Sequence, residues 1–598
     1  MRRTIGLAAA LALALVLAPQ ALAAKGPDRD KKGPKDKDTR VQLLAFNDFH
    51  GHLEPTTPGT IQTGCCNVVT NSTTGVQSYA PITVPAGGVE YLATHLKGLR
   101  TANTNTITVG AGDLIGASPL ISGLFHDEPA IHALNALQLD VSGVGNHEFD
   151  EGITELLRMQ NGGCTAADHC LVEPFPGAVF QYLAANVFYA GTDTTVLPEF
   201  EIRRVDKAKI AFIGLTLEAT PTIVTPSGVA GLEFRPEVST TNALVRKLRN
   251  RRGIRAFVVL IHQGGFQNPP VQPAFPAPIN PDAYTDVDRC LNFSGPEITA
   301  VAQGLDPQVD VIVSGHTHAP YICPNFADTG KLLTSASSFG RVITDIDLVI
   351  DHKTKDVKSA VADNVIVTQT VAKDPDLTAI VDRYRAASAP IANQIVGSIT
   401  ADITRSATTA GESALGDVIA DAQLKATAPS DFGGSVIAFM NPGGIRSDLL
   451  FASSPGGEAA GQVTYGELFT VQPFGNSLVV KTCTGAQIDA LLEQQIFPTT
   501  RILQVSNGFA YTFDAAGAPG SRIDPATIEL NGVTLDPATG YRVTMNSFLA
   551  GGGDGFTVFN QCTNALGGEI DLDALARYFT EFGGPVPPGP RNRITRVG

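Results

Sequence analysis

"GVGNHEFD", Gly143 to Asp150, ends an apolar lead-in of strand type ("LQLDVSGVG") and then sets Asn146, His147, Glu148 and Asp150 within five positions. A protein interior rejects such a cluster unless each polar group finds a partner. The juxtaposition recurs four times. "VQLLAFND" ends in Asp48 with His50 two residues on, "NTITVGAGD" ends in Asp113, "IRAFVVLIHQGG" delivers His262, and "VDVIVSGHTH" ends in His316 and His318. Each time a β-branched, apolar run of strand length stops and a metal-competent residue follows. Helix-like stretches such as "GGVEYLATHLKGLR" and "DEPAIHALNALQL" intervene, which predicts alternating strands and helices in α/β layers. In such sheets ligands bind beyond the carboxyl ends of the strands, so five strands aim Asp, His or Asn at one rim.

Taken singly, each residue has a plainer reading. A His after a strand is commonly a hydrogen-bonded structural residue, and Asp48 or Asp113 alone fits a turn former or a helix cap. Recurrence changes the balance, because besides His147 four more of the eleven histidines fall at the same structural punctuation, with two Asp and one Asn. His52, His95, His126, His132, His169 and His352 lack that placement and are assigned to surface or packing. Oxygen and nitrogen donors without Cys suit zinc, manganese or iron(II). Seven such ligands are too many for one ion and suit two that share a bridging carboxylate.

The chain of 598 residues exceeds what one hydrophobic core organises, so two sizeable domains are expected. A net charge of −15 argues against a nucleic-acid polymer bound through a broad basic surface. It leaves a small anionic substrate open, since bound cations reverse the local field. At the N-terminus "MRR", "TIGLAAALALALVLAP" and "ALA" at Ala21 to Ala23 read as a signal peptide over residues 1–24, followed by a charged linker over 25–40. No later stretch is long and apolar enough to span a bilayer, so no stable membrane anchor is expected and the mature protein should lie outside the cytoplasm. The eight cysteines are an even number that favours disulfides in an exported chain. Proximity suggests Cys164 with Cys170, Cys290 with Cys323 and Cys483 with Cys562, leaving the vicinal Cys65 and Cys66 to staple a loop.

"FNDFHGHLEP", "GAGDLIGAS", "GVGNHEFDEG", "LIHQGG" and "SGHTHAP", in that order, resemble the five blocks of the calcineurin-like metallophosphoesterases. In particular they resemble the secreted 5′-nucleotidase family, which includes UDP-sugar hydrolases and 2′,3′-cyclic-nucleotide phosphodiesterases. The resemblance implies an α/β fold: a four-layered metallophosphoesterase β-sandwich flanked by helices over 41–365, and a second α/β substrate-binding domain over 396–598. "VITDIDLVID" is read as the last strand of the first domain, and "DPDLTAIVDRYRAASAPIANQIV" has the helical spacing of a connecting helix within 366–395. The implied cofactors are two divalent metal ions, zinc or manganese. One would take Asp48, His50 and His318, the other Asn146, His262 and His316, with Asp113 bridging. His147 and Asp150 would form a catalytic dyad, the carboxylate reaching the far imidazole nitrogen if the chain turns helically there. Glu148 is left without a chemical role.

The region from about residue 396 has no His and no metal motif. Its Gly-rich segments "NPGGIRSD", "TVQPFGN" and "MNSFLAGGGDGF" resemble the family's substrate domain. On that resemblance Phe474 and Phe548 clamp a nucleobase, Asn441 meets the base, Arg446 the phosphate side and Asp554 the ribose hydroxyls. One departure stands out: "AGESALGDVI" has Gly411 where many family members carry a phosphate-holding arginine, with Arg405 six residues upstream as a stand-in. The activity implied is release of phosphate from nucleoside 5′-monophosphates, with UDP-sugars as further substrates. The alternative on the same centre is a 2′,3′-cyclic-nucleotide 2′-phosphodiesterase/3′-nucleotidase. A non-catalytic nucleotide-binding module fits less well, since such a scaffold tends to lose ligands and none of the seven is missing.

Overall fold

The computed structural model describes residues 38–598 apart from 57–58, 71–75, 102, 104, 165–169, 172–173, 225–227 and 497–499. The expected signal peptide, nearly all of the charged linker and His169 lie outside the described residues.

Two six-stranded sheets form the first domain. One runs in the order Val357–Ile366, Val342–Ile350, Thr39–Phe46, Thr106–Ala111, Val141–Gly143, Gln181–Leu183. The last four of these strands are parallel, with Ala45, Val109 and Val141 in one row. The other runs Pro320–Cys323, Leu332–Ala336, Val311–Ser314, Ala256–His262, Ala208–Thr216, Phe200–Val205, and its four central strands are again parallel. The parallel strands are apolar on both faces because both faces are covered. Val41, Leu43, Val109 and Val141 from one sheet meet Phe212, Val258, Leu260 and Val313 from the other in a shared core. Helices cover the outer faces. Val89–Arg100 buries Val89, Leu92, Ala93 and Leu96, the apolar stripe of a 3.6-residue period, and Glu237–Arg252 buries Leu244, Val245 and Leu248 on the opposite side. Each such side chain contributes roughly 1.5–3 kcal/mol by leaving water. The result is four layers, helix, sheet, sheet, helix.

The domain does not end at the strand Val342–Ile350. A further edge strand, Val357–Ile366, pairs antiparallel with it. All its side chains but Asn364 are half-buried or exposed, and apolar and polar residues do not alternate strictly along it ("VKSAVADNVI"), so it carries little of the period-2 signal by which a strand is read from sequence. A hairpin of Thr60–Thr70 and Gln77–Pro85 also extends from the domain.

The helix Pro375–Ala392 starts with Asp374 accepting the N–H groups of Asp376 and Leu377, and with Pro375 at its first position. Leu377, Val381 and Tyr384 pack into the first domain's core, so the connection is docked along its length. Beyond it lies a mixed five-stranded sheet, ordered Gln504–Val505, Ile437–Met440, Gly540–Asn546, Ser477–Thr484, Thr563–Ile570. Helices Ala414–Thr427 and Asp571–Glu581 share one core beside it, and Gly485–Gln494 packs into another. All eight cysteines are paired: Cys65 with Cys66, Cys164 with Cys170, Cys290 with Cys323 and Cys483 with Cys562.

Candidate active site

The carboxyl ends of the parallel strands in both sheets meet at one rim. Asp48 and His50 follow Thr39–Phe46, Asp113 follows Thr106–Ala111, and Asn146 and His147 follow Val141–Gly143. His262 ends Ala256–His262, while His316 and His318 follow Val311–Ser314. Asp48, His50, Asp113, His316 and His318 all have positive φ, between 48° and 77°. Non-glycine residues adopt that conformation at a cost, and its concentration here marks backbone bent to aim side chains.

The side chains gather into two groups, Asp48 with His50 and His318, and Asp113 with His262 and His316. Asn146 joins the second, its Oδ1 lying 3.1 Å from His316 Nδ1. Asp113 Oδ2 touches both, at 2.8 Å from His262 Nε2 and 3.7 Å from His50 Nε2. In the first group His318 Nε2 is 3.3 Å from Asp48 Oδ1 and 3.2 Å from His50 Nε2. Asn47 braces Asp48 by donating to its Oδ2 at 2.6 Å and to the Ser337 carbonyl at 2.7 Å.

These donors fit cations. His50 Nδ1 and His262 Nδ1 each lie 2.8 Å from a backbone carbonyl, of Gly116 and Ala111, which can only accept. Their Nε2 atoms are thus left to a cation or a proton, and that of His262 is buried without a hydrogen bond although a carboxylate oxygen stands beside it. A lone pair facing a carboxylate calls for positive charge between them. Among the described residues the ion pairs of the fully buried Asp48 and Asp113 are with imidazoles, not with Lys or Arg. Burial alone would depress His262, yet the Asp113 carboxylate lifts it to about 10. Burial raises Asp113, but His262 and His147 outweigh it and hold the carboxyl well below its ordinary range. His50, with burial dominant, is pushed well below its ordinary value, and His316 falls to about 4 for the same reason.

His147 stands outside both groups. A tight turn over His147–Phe149 brings its Nδ1 to 2.8 Å from Asp150 Oδ2. Burial opposes the imidazolium, but Asp150 and Asp113 overcome it and raise the ring's pKa. Glu148 is buried and pushed up to about 7 by desolvation and by Asp113.

The C-terminal domain contributes to the same rim. The Phe474 ring stacks on His147, with centroids 5.6 Å apart and planes 21° apart. The Arg446 guanidinium lies 5.7 Å from the Phe474 centroid, within the fields of Asp113, Asp150 and Asp48. Asn441, Phe548 and Asp554 form a separate corner. Asn441 donates to Asp554 Oδ2 at 3.3 Å, and the Phe548 ring lies against the backbone of Gly553. Among the described residues no ring contact pairs Phe474 with Phe548. Gly411 has φ +86° and packs on Ile502, where a Cβ would come within 2.5 Å, so it faces the domain's own core. Arg405 stands beside Arg446, because Ile403 and Leu449 pair antiparallel and Arg405 N–H reaches Asp448 Oδ1 at 2.8 Å.

Two residues that no motif marked also belong to this surface. Arg501 lies 3.7 Å from Asp554, and Phe339 packs edge-on to His50 and His318. Neither stands in a patterned stretch; only the tertiary fold brings them in. Of the histidines assigned to packing, the His52 ring lies 4.0 Å from that of Phe339, His132 Nδ1 is hydrogen-bonded with the Tyr384 hydroxyl at 2.7 Å, and His126 pairs with Glu151 at 2.7 Å.

Residues 41–320 match the family model of the calcineurin-like phosphoesterases, and residues 392–561 that of the 5′-nucleotidase C-terminal domain. Among curated proteins the chain is similar to Endonuclease YhcR of Bacillus subtilis, 29% identical over 96% of this chain and 42% of that one. It is also similar to Cell wall protein Lmo0130 of Listeria monocytogenes, 30% identical over 90% of this chain and 67% of that one. The chain thus spans less than half the length of the Bacillus relative. A crystal structure of a 5′-nucleotidase precursor from Thermus thermophilus has the same fold, with a TM-score of 0.70 at 24% identity over 94% of this chain and all of that one. The chain belongs to the calcineurin-like phosphoesterase family in its two-domain 5′-nucleotidase form, whose members are metal-dependent phosphoric ester hydrolases.

Proposed function

We propose that the protein is a dinuclear-metal 5′-nucleotidase acting outside the cytoplasm, releasing phosphate from nucleoside 5′-monophosphates and hydrolysing UDP-sugars. The observation that carries this reading is Asp113 Oδ2, set 2.8 Å from His262 of one group and 3.7 Å from His50 of the other, with an aromatic ring and a guanidinium from the second domain at the same rim. One ion would be held by Asp48, His50 and His318, the other by Asn146, His262 and His316, and Asp113 would serve both. When bound, such a pair supplies Lewis acidity and positive charge toward a phosphoryl group. The chain's own residues do the rest. Asp150 fixes His147 through Nδ1 and keeps the ring protonated, so that Nε2–H donates to a phosphoryl or leaving oxygen. Arg446 holds the phosphate side, and Phe474 gives a base a face to stack on. Phe548, Asn441 and Asp554 form the far wall of the nucleoside site. Four disulfides support an oxidising compartment, and no helix among the described residues is long and apolar enough to cross a membrane.

The test is a panel of AMP, UDP-glucose, 2′,3′-cyclic AMP and 3′-AMP assayed with metal analysis of the same preparation. Turnover of AMP by protein carrying two equivalents of metal is expected. Activity confined to the last two substrates would replace the reading by the cyclic phosphodiesterase/3′-nucleotidase one.

A further inference from the structure

Glu148 sits among the metal-binding loops and is 3% exposed, yet neither metal group includes it. Its carboxylate is directed to backbone. Oε2 accepts the N–H groups of Asp113 at 2.9 Å and Gly145 at 2.5 Å, and Oε1 accepts that of Leu114 at 2.7 Å. These donors belong to two different loops, one after the strand Thr106–Ala111 and one after Val141–Gly143. Asp113 makes the return bond, its Oδ1 accepting the His147 N–H at 2.9 Å. With its backbone clamped and Oδ1 engaged, Asp113 is left with Oδ2 to face His262 and His50. The loops approach so closely that a Cβ on Gly145 would stand 2.2 Å from Asp113 Oδ1.

We propose that Glu148 is the positioning residue of the bridging carboxylate: it locks the Asp113 loop to the Asn146–His147 loop and so orients the one ligand that serves both ions. The inference rests on the dinuclear reading above. A carboxyl group suits the task, because three N–H groups converge on it and both of its oxygens have lone pairs to accept them. Glutamine has nearly the same shape but would turn an NH2 toward at least one backbone N–H, leaving donors facing each other in a buried place. Supporting partners of metal ligands commonly change metal affinity by about 10–100-fold when removed.

The test compares wild type with Glu148→Gln, each stripped of metal and titrated with Mn2+. Affinity is read by calorimetry and the metal arrangement by electron paramagnetic resonance. Wild type is expected to bind two Mn2+ and give the spectrum of a spin-coupled pair. Glu148→Gln, with an unchanged circular dichroism spectrum, is expected to bind Mn2+ about 10–100-fold more weakly and to give the spectrum of isolated ions. Glu148→Asp keeps two acceptor oxygens but withdraws them by one methylene, and is expected in between; it carries the test if the glutamine variant does not fold. A spin-coupled pair of undiminished affinity in either folded variant would overturn the proposal alone. A wild type that binds a single Mn2+ would overturn the dinuclear reading and this one with it.

Discussion

The rings of His147 and Phe474 lie nearly parallel with centroids 5.6 Å apart, although one belongs to the metal-binding domain and the other to the C-terminal domain. The ring that would receive a base therefore sits against the ring that would donate a proton. On the proposed reading, binding and chemistry meet on one aromatic stack. Phe474→Ala removes the stacking face and leaves the His147–Asp150 pair untouched. It is expected to raise KM for AMP about tenfold, the scale of one lost base stack, while KM for 4-nitrophenyl phosphate changes little. Equal changes for both substrates would show that the ring serves only to brace His147.

His147→Ala tests the division between holding metal and moving a proton. The ring touches Asp150 and Phe474 but stands outside both metal groups, so kcat is expected to fall about 10²–10⁴-fold with two equivalents of metal retained. Metal analysis of the purified variant decides the matter, since loss of an ion would assign His147 to the ligand shell.

Removing the ions should loosen the rim as well as stop turnover. Among the described residues the ion pairs of the buried Asp48 and Asp113 are all with imidazoles, so without cations these carboxylates depend on protonated histidines for close positive charge. Exhaustive chelation is expected to lower Tm by several degrees, and added Zn2+ or Mn2+ to restore it in a concentration-dependent way. A Tm indifferent to chelator would contradict a site built around metal.

Much of this site was legible because its signal is local. The parallel strands are largely apolar, and each ligand ends its strand or follows it within a few residues, so the sequence pattern alone locates the rim. The three-residue step from His147 to Asp150 likewise needs only a helical turn to become a hydrogen bond, and a tight turn is what forms. What escaped depends on long-range packing. Val357–Ile366 owes its strand to its partner, since apolar and polar residues do not alternate strictly along it. Glu148 finds its three N–H donors on loops brought together only by the sheet, and nothing in "NHEF" distinguishes it from a surface acid. Arg405 comes beside Arg446 through a pairing of segments more than forty residues apart.

The C-terminal tail offers a stability test remote from the chemistry. Arg593, with 7% of its side chain exposed, places NH1 and NH2 at 2.8 Å from the two oxygens of Asp421 and donates to the Val505 carbonyl at 2.6 Å. Its own N–H reaches the buried Glu412 at 3.0 Å. Arg593→Ala keeps the backbone N–H to Glu412 but leaves Asp421 and the Val505 carbonyl without the guanidinium, and is expected to cost about 3 kcal/mol in urea unfolding, with kcat of the folded fraction unchanged. Arg593→Lys should recover only part of the loss, because a point charge cannot fork across both oxygens. A cost below about 1 kcal/mol would reduce the pair to an ordinary surface contact.

Asp310 supplies a pH dependence that does not involve the metal ligands. It precedes the strand Val311–Ser314 and accepts the Phe257 N–H at 2.9 Å, and burial pushes its carboxyl up to about 8. In the unfolded chain the same group titrates near an ordinary value of about 4. The folded state therefore binds the proton more tightly. The stability this contributes is fully present below about pH 4 and is lost as pH rises through 8. Asp310→Asn can still accept the Phe257 N–H and has nothing to ionise. The Tm of the variant minus that of wild type, measured with metal saturating, is therefore expected to become steadily more positive from pH 5 to pH 9. A difference that stays constant over that range would mean Asp310 is ionised in the folded protein throughout.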